Sequence, residues 1–323
     1  MNAADLFSPH DVRPGIPPAR VPWGSVGIFL TIAIVLGWIV CLPLWFGDGL
    51  ASPMFQLIAA ALMATPTIAA LILVFTTVPK GGRARYLGLL PFRPVGRKIL
   101  LFLLWPVFFL AIAFGAMLLA SALGWSEFDA DLTMLREQLA ALGTDDVPLF
   151  LTMQFLAVPL VVIQGTVTAF GEELGWRGYL TTALSPLGFW RSALIIGTVW
   201  GVWHAPIILL GYNFNRTDLL GVVYMVVFCL VVGVLLQWSR YFTRSVWPAA
   251  VGHGALNATF TYPLFWATPD FDAVTGSALG APGWILMGAV IVILIACRAF
   301  RPERDWTPKR DPRFQISSKG TEA

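Results

Sequence analysis

Eight stretches of predominantly apolar residues follow one another along the 323-residue chain. A run of about 20 apolar residues is long enough to cross a bilayer as a helix. The stretches are residues 23–46, 54–78, 99–124, 148–172, 192–212, 219–238, 246–268 and 284–297. This pattern predicts an all-α polytopic membrane protein with about eight transmembrane helices.

The composition supports this class. Charged residues make up 12% of the chain and hydrophobic residues 57%. Soluble globular domains contain about 25% charged residues, so this chain has too few to cover a water-facing surface. A soluble enzyme, a disordered protein and a nucleic-acid-binding protein are therefore all disfavoured. We expect membrane lipid, and no nucleic acid, among its partners.

The distribution of charge predicts the orientation, because Lys and Arg accumulate in cytoplasmic segments of membrane proteins. With the N-terminus inside, only Arg136 and Arg216 of the 21 basic residues fall outside, whereas ten of the 18 acidic residues do. We therefore expect a multi-pass cell-membrane protein with both termini in the cytoplasm. The predicted organisation is a cytoplasmic segment at 1–22, a transmembrane domain at 23–298 and a basic cytoplasmic tail at 299–323.

Two of the segments that connect the predicted spans differ from the others in composition. Residues 125–147 form an acidic outer loop with a helical stretch around 132–142. Residues 174–191 link the fourth and fifth spans and mix apolar side chains with Arg177 and Arg191. Their amphipathic pattern predicts a segment lying at the cytoplasmic interface.

Ionisable residues are rare inside the spans, where each costs about 2.5–3.5 kcal/mol on insertion scales, so they are functional candidates by default. They are Glu172 and Glu173 at the end of the fourth span, His204 in the fifth and His253 in the seventh. All four lie in the second half of the chain, and the first three spans contain no counterpart. They predict a polar intramembrane cavity built by the second half.

Spacing groups these residues with polar or aromatic partners four positions away, which share a helix face. The pairs are Glu173 with Arg177, Trp200 with His204, and His253 with Asn257. Each pair also has a purely structural interpretation. A membrane histidine often bonds a neighbouring helix, Glu173 and Arg177 can form a structural ion pair, and Trp200 can serve packing.

Together, a carboxylate, two imidazoles and an amide suit hydrolysis. A glutamate or histidine can act as general base on water, and histidine and asparagine can donate to a developing oxyanion. The set Glu172, His204 and His253 could also hold a tetrahedral zinc ion with one open position. An alternative function is a secondary transporter in which Glu172 and the histidines relay protons. Transporters usually have two related halves. The first three spans contain no counterpart of the three polar pairs, which counts against a transporter.

The three motifs that contain these pairs resemble those of the CPBP family of intramembrane proteases, also called Abi. The family includes the prenyl-protein type II CAAX endopeptidase. They stand here as Glu172-Glu173-Leu-Gly-Trp-Arg177, Trp200-Gly-Val-Trp-His204 and His253-Gly-Ala-Leu-Asn257. Their order matches the family pattern over about residues 145–265. Trp200 departs from it by replacing the usual phenylalanine, which concerns the shape of the pocket.

The resemblance implies an endopeptidase that cuts a membrane-associated protein or peptide near the cytoplasmic face, with prenylated CAAX tails as one substrate class. It implies that Glu172 and His204 activate water, and that His253 and Asn257 stabilise the oxyanion. Glu173 and Arg177 would orient the site or grip the substrate. The family is often described as metalloproteases, and a metal-free glutamate mechanism is also argued. Whether the site binds zinc therefore stays an open question. A non-catalytic member acting in bacteriocin immunity is a further alternative.

The predicted span boundaries leave a geometric conflict. At 1.5 Å per residue, His204 lies about 18 Å into its span, whereas Glu172 lies near the end of its own. The two residues can converge only if the fifth span tilts or protrudes, or if the fourth span sits deeper than these boundaries. A cavity in the inner leaflet that is open to the cytoplasm would reconcile them.

Overall fold

The computed structural model describes residues 17–90, 92 and 95–300. Over these residues the chain is helical, and its only β-type pairing is an isolated bridge between Phe128 and Ala267. The predicted all-α membrane fold is thereby confirmed. Most of the predicted N-terminal segment (1–16) and of the basic tail (301–323) lies outside the described residues.

Nine helices of at least nine residues form the body of the part that the structure describes. They are α1 (Trp23–Trp45), α2 (Phe55–Thr77), α3 (Val95–Ala122), α4 (Thr133–Ala141), α5 (Val147–Glu173), α6 (Phe189–Trp203), α7 (Leu219–Thr243), α8 (Trp247–Thr259) and α9 (Ala281–Ala296). The helix expected in the acidic outer loop is α4. Shorter turns join the others.

Six helical segments are long and apolar enough to cross a membrane: α1, α2, α3, α7, the α5 segment extended to Leu187, and the α9 segment extended back to Ala273. The other two predicted spans contain shorter helices, α6 with 15 residues and α8 with 13. A helix of 15 residues is about 22 Å long, less than the roughly 30 Å hydrocarbon core. Each is followed by further turns, Ala205–Ile208 and Tyr262–Trp266.

The prediction of an interfacial segment at 174–191 is wrong. The helix of α5 continues without a break through a π-helical stretch, Leu174–Leu180, and on to Leu187. Every side chain from 174 to 184 is buried. An interfacial segment would turn its apolar residues to lipid and its charged residues to water. Here the apolar residues and Arg177 all face other helices, because the bundle encloses this stretch.

This continuation resolves the conflict between Glu172 and His204. The fourth span runs for 41 residues, Val147–Leu187, so Glu172 lies well inside it and not at its end. The sequence left several possibilities open, and the structure agrees with one of them: the fourth span extends deeper into the bundle than predicted. Contacts of Gly171 and Gly175 with Met63 and Pro66, in the middle of α2, place both glutamates near mid-bundle.

The bundle has two chemically different ends. The basic end carries Lys80, Arg83, Arg85, Arg97, Arg191, Arg244 and Arg298. There Arg97 donates to the Phe242 carbonyl, and the Val246 amide donates to the Gly88 carbonyl. The acidic end carries the ten predicted outer Asp and Glu residues with Arg136 and Arg216, and there Trp45 donates to the Pro206 carbonyl and the Asp129 amide to the Trp266 carbonyl.

Glycines allow the helices of the second half to approach closely. A Cβ atom on Gly201 would lie 2.4 Å from the Val226 Cα, and one on Gly197 would lie 2.9 Å from the Leu230 Cα. These two glycines, four residues apart on α6, press that helix against α7. A Cβ on Gly254 would lie 2.4 Å from the Thr166 amide nitrogen, so α8 lies equally close to α5. Small residues at such contacts are typical of membrane helix pairs.

Candidate active site

The two adjacent glutamates lie at the junction of α5 with the π-helical stretch. Glu172 is 2% exposed and Glu173 is fully buried. Because neighbouring residues on a helix point about 100° apart, the two carboxylates reach different partners. π-Helical turns occur frequently at functional sites, and this one carries Arg177 within it.

Glu173 forms a buried charged cluster. Its Oε1 accepts from Arg177 Nη1 at 2.6 Å and from His253 Nδ1 at 2.9 Å. The ion pair predicted from the four-residue spacing is therefore formed, and a histidine from α8 joins it. Arg177 is fully buried and His253 is 4% exposed. Removing one partner from a buried charge pair typically costs about 3–5 kcal/mol, so this cluster ties α8 to α5.

Glu172 has a different partner, the indole of Trp200 on α6. Trp200 Nε1 donates to Glu172 Oε2 at 2.6 Å. A phenylalanine at position 200 would have no donor to offer. The departure of this chain from the family pattern therefore concerns the hydrogen bonding of Glu172 as well as the shape of the pocket.

His204 follows directly after the last residue of α6 and is 8% exposed. Its Nδ1 lies 2.8 Å from the Trp200 carbonyl oxygen. A carbonyl only accepts, so Nδ1 carries the proton and the neutral ring presents a lone pair at Nε2. Trp203 packs edge-on against the ring, with centroids 4.7 Å apart, and its own indole N–H donates to Thr65 on α2. The ring is thus held in one orientation.

Trp200 joins the two groups. The Arg177 guanidinium lies 4.2 Å from the centre of its indole ring, and the His253 ring lies edge-on at 5.3 Å. Through these contacts the structure brings Glu172, Glu173, Arg177, Trp200, His204 and His253 into one connected set. The seventh predicted residue, Asn257, lies one turn beyond His253 on α8 and is exposed.

The zinc hypothesis needs Glu172, His204 and His253 to converge. Among the described residues, no three His, Cys, Asp or Glu side chains come together in a way that could hold a metal ion. His253 directs Nδ1 at Glu173, and His204 directs Nδ1 at a backbone carbonyl, which leaves the Nε2 atom of each ring free. Histidines that bind metals through Nε2 are commonly held by such Nδ1 bonds, so zinc stays an alternative, and the mechanism proposed below uses the side chains of the chain alone.

Sequence reasoning missed one supporting residue. Arg240 on α7 is 1% exposed, and its Nε donates to the Arg177 carbonyl at 2.9 Å. Gly88 lies against its guanidinium, where a Cβ would approach to 2.5 Å. Arg240 follows the apolar run 219–238 and has no acidic residue within its helix, so the sequence contains no signal for this contact.

Comparison with curated proteins gives no match. Residues 154–259 match the model of a protein family described as type II CAAX prenyl endopeptidase Rce1-like. All seven candidate residues fall inside this segment. The match confirms the resemblance predicted from the three motifs, and the matched family is a family of proteases. Over residues 154–259, the chain is thus similar to the Rce1-like type II CAAX prenyl endopeptidases, which supports a CAAX-type intramembrane endopeptidase in general.

Proposed function

We propose that this protein is an intramembrane endopeptidase of the cell membrane, with both termini cytoplasmic, that hydrolyses a peptide bond in a membrane-associated protein or peptide. CAAX-type tails, prenylated or not, are one candidate substrate class. The single observation that carries the proposal is the double role of Trp200. Its side chain binds Glu172, and its backbone carbonyl fixes the tautomer of His204. One residue thus couples a buried carboxylate to an imidazole with a free lone pair.

In the proposed mechanism, a water molecule donates one hydrogen bond to Glu172 and one to His204 Nε2. Because Trp200 occupies Glu172 Oε2, the Oε1 atom receives the water proton. The water oxygen then attacks the carbonyl carbon of the peptide bond, forming a C–O bond while its proton moves to Glu172. When the tetrahedral intermediate collapses, the C–N bond breaks and Glu172 returns the proton to the leaving amine. This is general acid–base catalysis by one carboxylate.

The negative charge on the carbonyl oxygen needs donors placed before the reaction starts. The Asn257 amide supplies one donor, and His253, whose Nδ1 is directed at Glu173, supplies the other from Nε2. In this scheme Glu173 and Arg177 are positioning residues. They hold His253 and, through the stacked guanidinium, the ring of Trp200.

The proposal is tested by comparing membrane-associated peptides, by mass spectrometry, in cells expressing the wild type, Glu172→Gln and Glu173→Gln. Glu172→Gln keeps the size of the side chain and removes the base, so product peptides should fall by about 10² or more. The amount of folded protein should stay near normal. Glu173→Gln is the matched control on the next residue, and it should lower the folded amount because Arg177 and His253 lose their anion.

Full turnover in both variants would remove the protease assignment. Loss of product in Glu172→Gln that merely tracks its folded amount would assign Glu172 to stability, and the non-catalytic, immunity-type alternative would then be favoured.

A further inference from the structure

A tyrosine outside the three motifs lies close to the candidate site. Tyr212 follows His204 along the chain, in the connection between α6 and α7. The amides of Ile207 and Ile208 donate to the His204 carbonyl, and the Tyr212 amide donates to the Ile207 carbonyl. Two turns of hydrogen-bonded backbone therefore join Tyr212 to His204.

The backbone around Tyr212 turns this residue back onto those turns. The Tyr212 amide reaches the Ile207 carbonyl, the Gly211 amide reaches the Ile208 carbonyl, and Gly211 has a φ of +103°. Two such bonds around a glycine of positive φ form a Schellman motif, which commonly brings the residue after the glycine into contact with the last turn of the helix. Tyr212 packs against the core cluster that includes Ile207. Its side chain is thus held beside the turn that follows His204.

The ring and the hydroxyl of Tyr212 have different surroundings. The ring lies 5.4 Å from that of Phe55, the first residue of α2, and the side chain is half-buried. The hydroxyl is close enough to the Glu172 carboxylate to interact with it electrostatically. Within the part of the chain that the structure describes, this hydroxyl makes no hydrogen bond. A neutral donor near Glu172 is therefore still available.

The other polar groups around Glu172 already have partners in the cluster. Glu173 accepts from Arg177 and His253, and Trp200 donates to Glu172 itself. A phenol donates one hydrogen bond and is neutral at physiological pH. The Tyr212 hydroxyl therefore suits a neutral acceptor, such as the carbonyl of a peptide group.

The proposed mechanism decides which carbonyl this hydroxyl binds. The attacking water donates both of its hydrogens, to Glu172 and His204, and attacks through a lone pair. A further donor to the water oxygen would draw electron density away from that lone pair. The oxyanion already has its two donors in that mechanism. The acceptor that remains for Tyr212 is the carbonyl of a neighbouring peptide group of the substrate.

We propose that Tyr212 is a further substrate-binding residue, whose hydroxyl donates to a backbone carbonyl of the substrate next to the peptide bond that is cut. This inference rests on the proposed function and deepens it. The bond holds the peptide beside Glu172 and His204. Because every peptide offers such a carbonyl, this contact positions a substrate by its main chain and does not select its side chains.

The test is Tyr212→Phe, which removes the hydroxyl and keeps the ring that contacts Phe55. The probe is a synthetic peptide that spans the cleavage site identified by the mass-spectrometric comparison above. Tyr224→Phe is the matched control, because Tyr224 on α7 is also half-buried and its ring contacts Phe214 and Trp284.

A hydrogen bond made equally in the bound state and in the transition state changes KM and leaves kcat unchanged. We expect KM of Tyr212→Phe to rise about threefold to tenfold, the effect of one neutral hydrogen bond. The melting temperature should stay the same, since the hydroxyl has no bond to lose. In Glu172→Gln, which binds without cutting, adding Tyr212→Phe should weaken peptide affinity by the same factor. Tyr224→Phe should change none of these quantities.

Unchanged KM and affinity in Tyr212→Phe would overturn the proposal, as would an equal rise of KM in Tyr224→Phe. A fall in kcat at constant KM would also overturn it, because the hydroxyl would then act on the oxyanion or the water. Tyr212→Leu removes the ring as well and should lower the melting temperature. A rise of KM in Tyr212→Leu alone would assign binding to the ring and overturn the role of the hydroxyl.

Failure of this inference is distinguishable from failure of the protease assignment. If only the role of Tyr212 is wrong, Glu172→Gln still loses turnover while Tyr212→Phe behaves like the wild type. If the protease assignment is wrong, Glu172→Gln keeps full turnover, and both proposals fall together.

Discussion

At the scale of single residues, Trp200 contacts more members of the candidate site than any charged group does. Its indole N–H binds Glu172, its carbonyl binds His204, and its ring contacts Arg177 and His253. Sequence reasoning found the position through its spacing from His204 and allowed a packing role. It could not find the bond to Glu172, because the two residues are 28 positions apart and meet only when α5 and α6 pack.

Trp200→Phe removes the N–H and keeps an aromatic ring for Arg177 and His253. A hydrogen bond to a charged group contributes about 1.5–3 kcal/mol. If that bond holds Glu172 in its catalytic position, kcat per folded molecule should fall by about tenfold to a hundredfold, and the melting temperature should fall as well because Trp200 is 1% exposed. Turnover per folded molecule and melting temperature measure the two effects. Trp125→Phe, a 42% exposed position at the acidic end, is the matched control and should be neutral.

A fall in the folded amount of Trp200→Phe at unchanged turnover would show that Trp200 is a packing residue alone.

Asn257→Ala tests the proposed oxyanion donor. Loss of one such donor typically lowers kcat by about 10²–10³, with little change in KM. Since Asn257 is exposed, truncation should cost little stability. Asn257→Asp should be at least as harmful, because its negative charge would face the developing oxyanion. A depressed melting temperature with normal kcat in Asn257→Ala would instead make this residue a helix tether.

At the scale of elements, glycines decide where the catalytic side chains meet. Gly197 and Gly201 press α6 against α7, and Gly165 and Gly254 press α5 against α8. The i, i+4 pattern of the polar residues predicted which side chains share a face. It did not predict the π-helical stretch at Leu174–Leu180 or the burial of residues 174–184. The same amphipathic sequence is compatible with a helix that continues into the bundle and with a segment that bends to lie at the membrane interface.

Gly201→Ala should destabilise the protein, because the added Cβ would lie 2.4 Å from the Val226 Cα and the backbone must move. Overpacking of this kind typically costs about 1–3 kcal/mol. The shift would also displace Trp200 and His204, so turnover per folded molecule should fall. Thermal unfolding in detergent and an activity assay measure the two effects.

The matched control is Gly288→Ala on α9, where a Cβ would have no heavy atom within 4 Å. This change should be neutral or slightly stabilising, since alanine favours helix over glycine by roughly 0.5–1 kcal/mol. Equal behaviour of the two variants would contradict the assigned role of the α6–α7 contact.

At the scale of the whole molecule, the asymmetry of charge between the two ends predicts the orientation. Lys80, Arg83 and Arg85 lie at one end, and Asp48, Asp218 and the other outer acidic residues lie at the opposite one.

Reporter fusions after residues 90 and 135 test this orientation. The fusion at 90, in the basic segment between α2 and α3, should be cytoplasmic, and the fusion at 135, in α4, should be external. A fusion at 275 serves as the second external point. An external location of the fusion at 90 would reverse the whole predicted orientation.

The sequence by itself determined the membrane class, the charge asymmetry and the residues of the candidate site. Each follows from local quantities: the length of an apolar run, the sign of a loop, and the four-residue period of a helix face. Only the tertiary structure decided that Glu173 binds both Arg177 and His253, that Trp200 binds Glu172, and that the fourth span extends beyond the glutamates. Those features depend on how closely neighbouring helices approach, which is set by contacts between residues far apart in the chain.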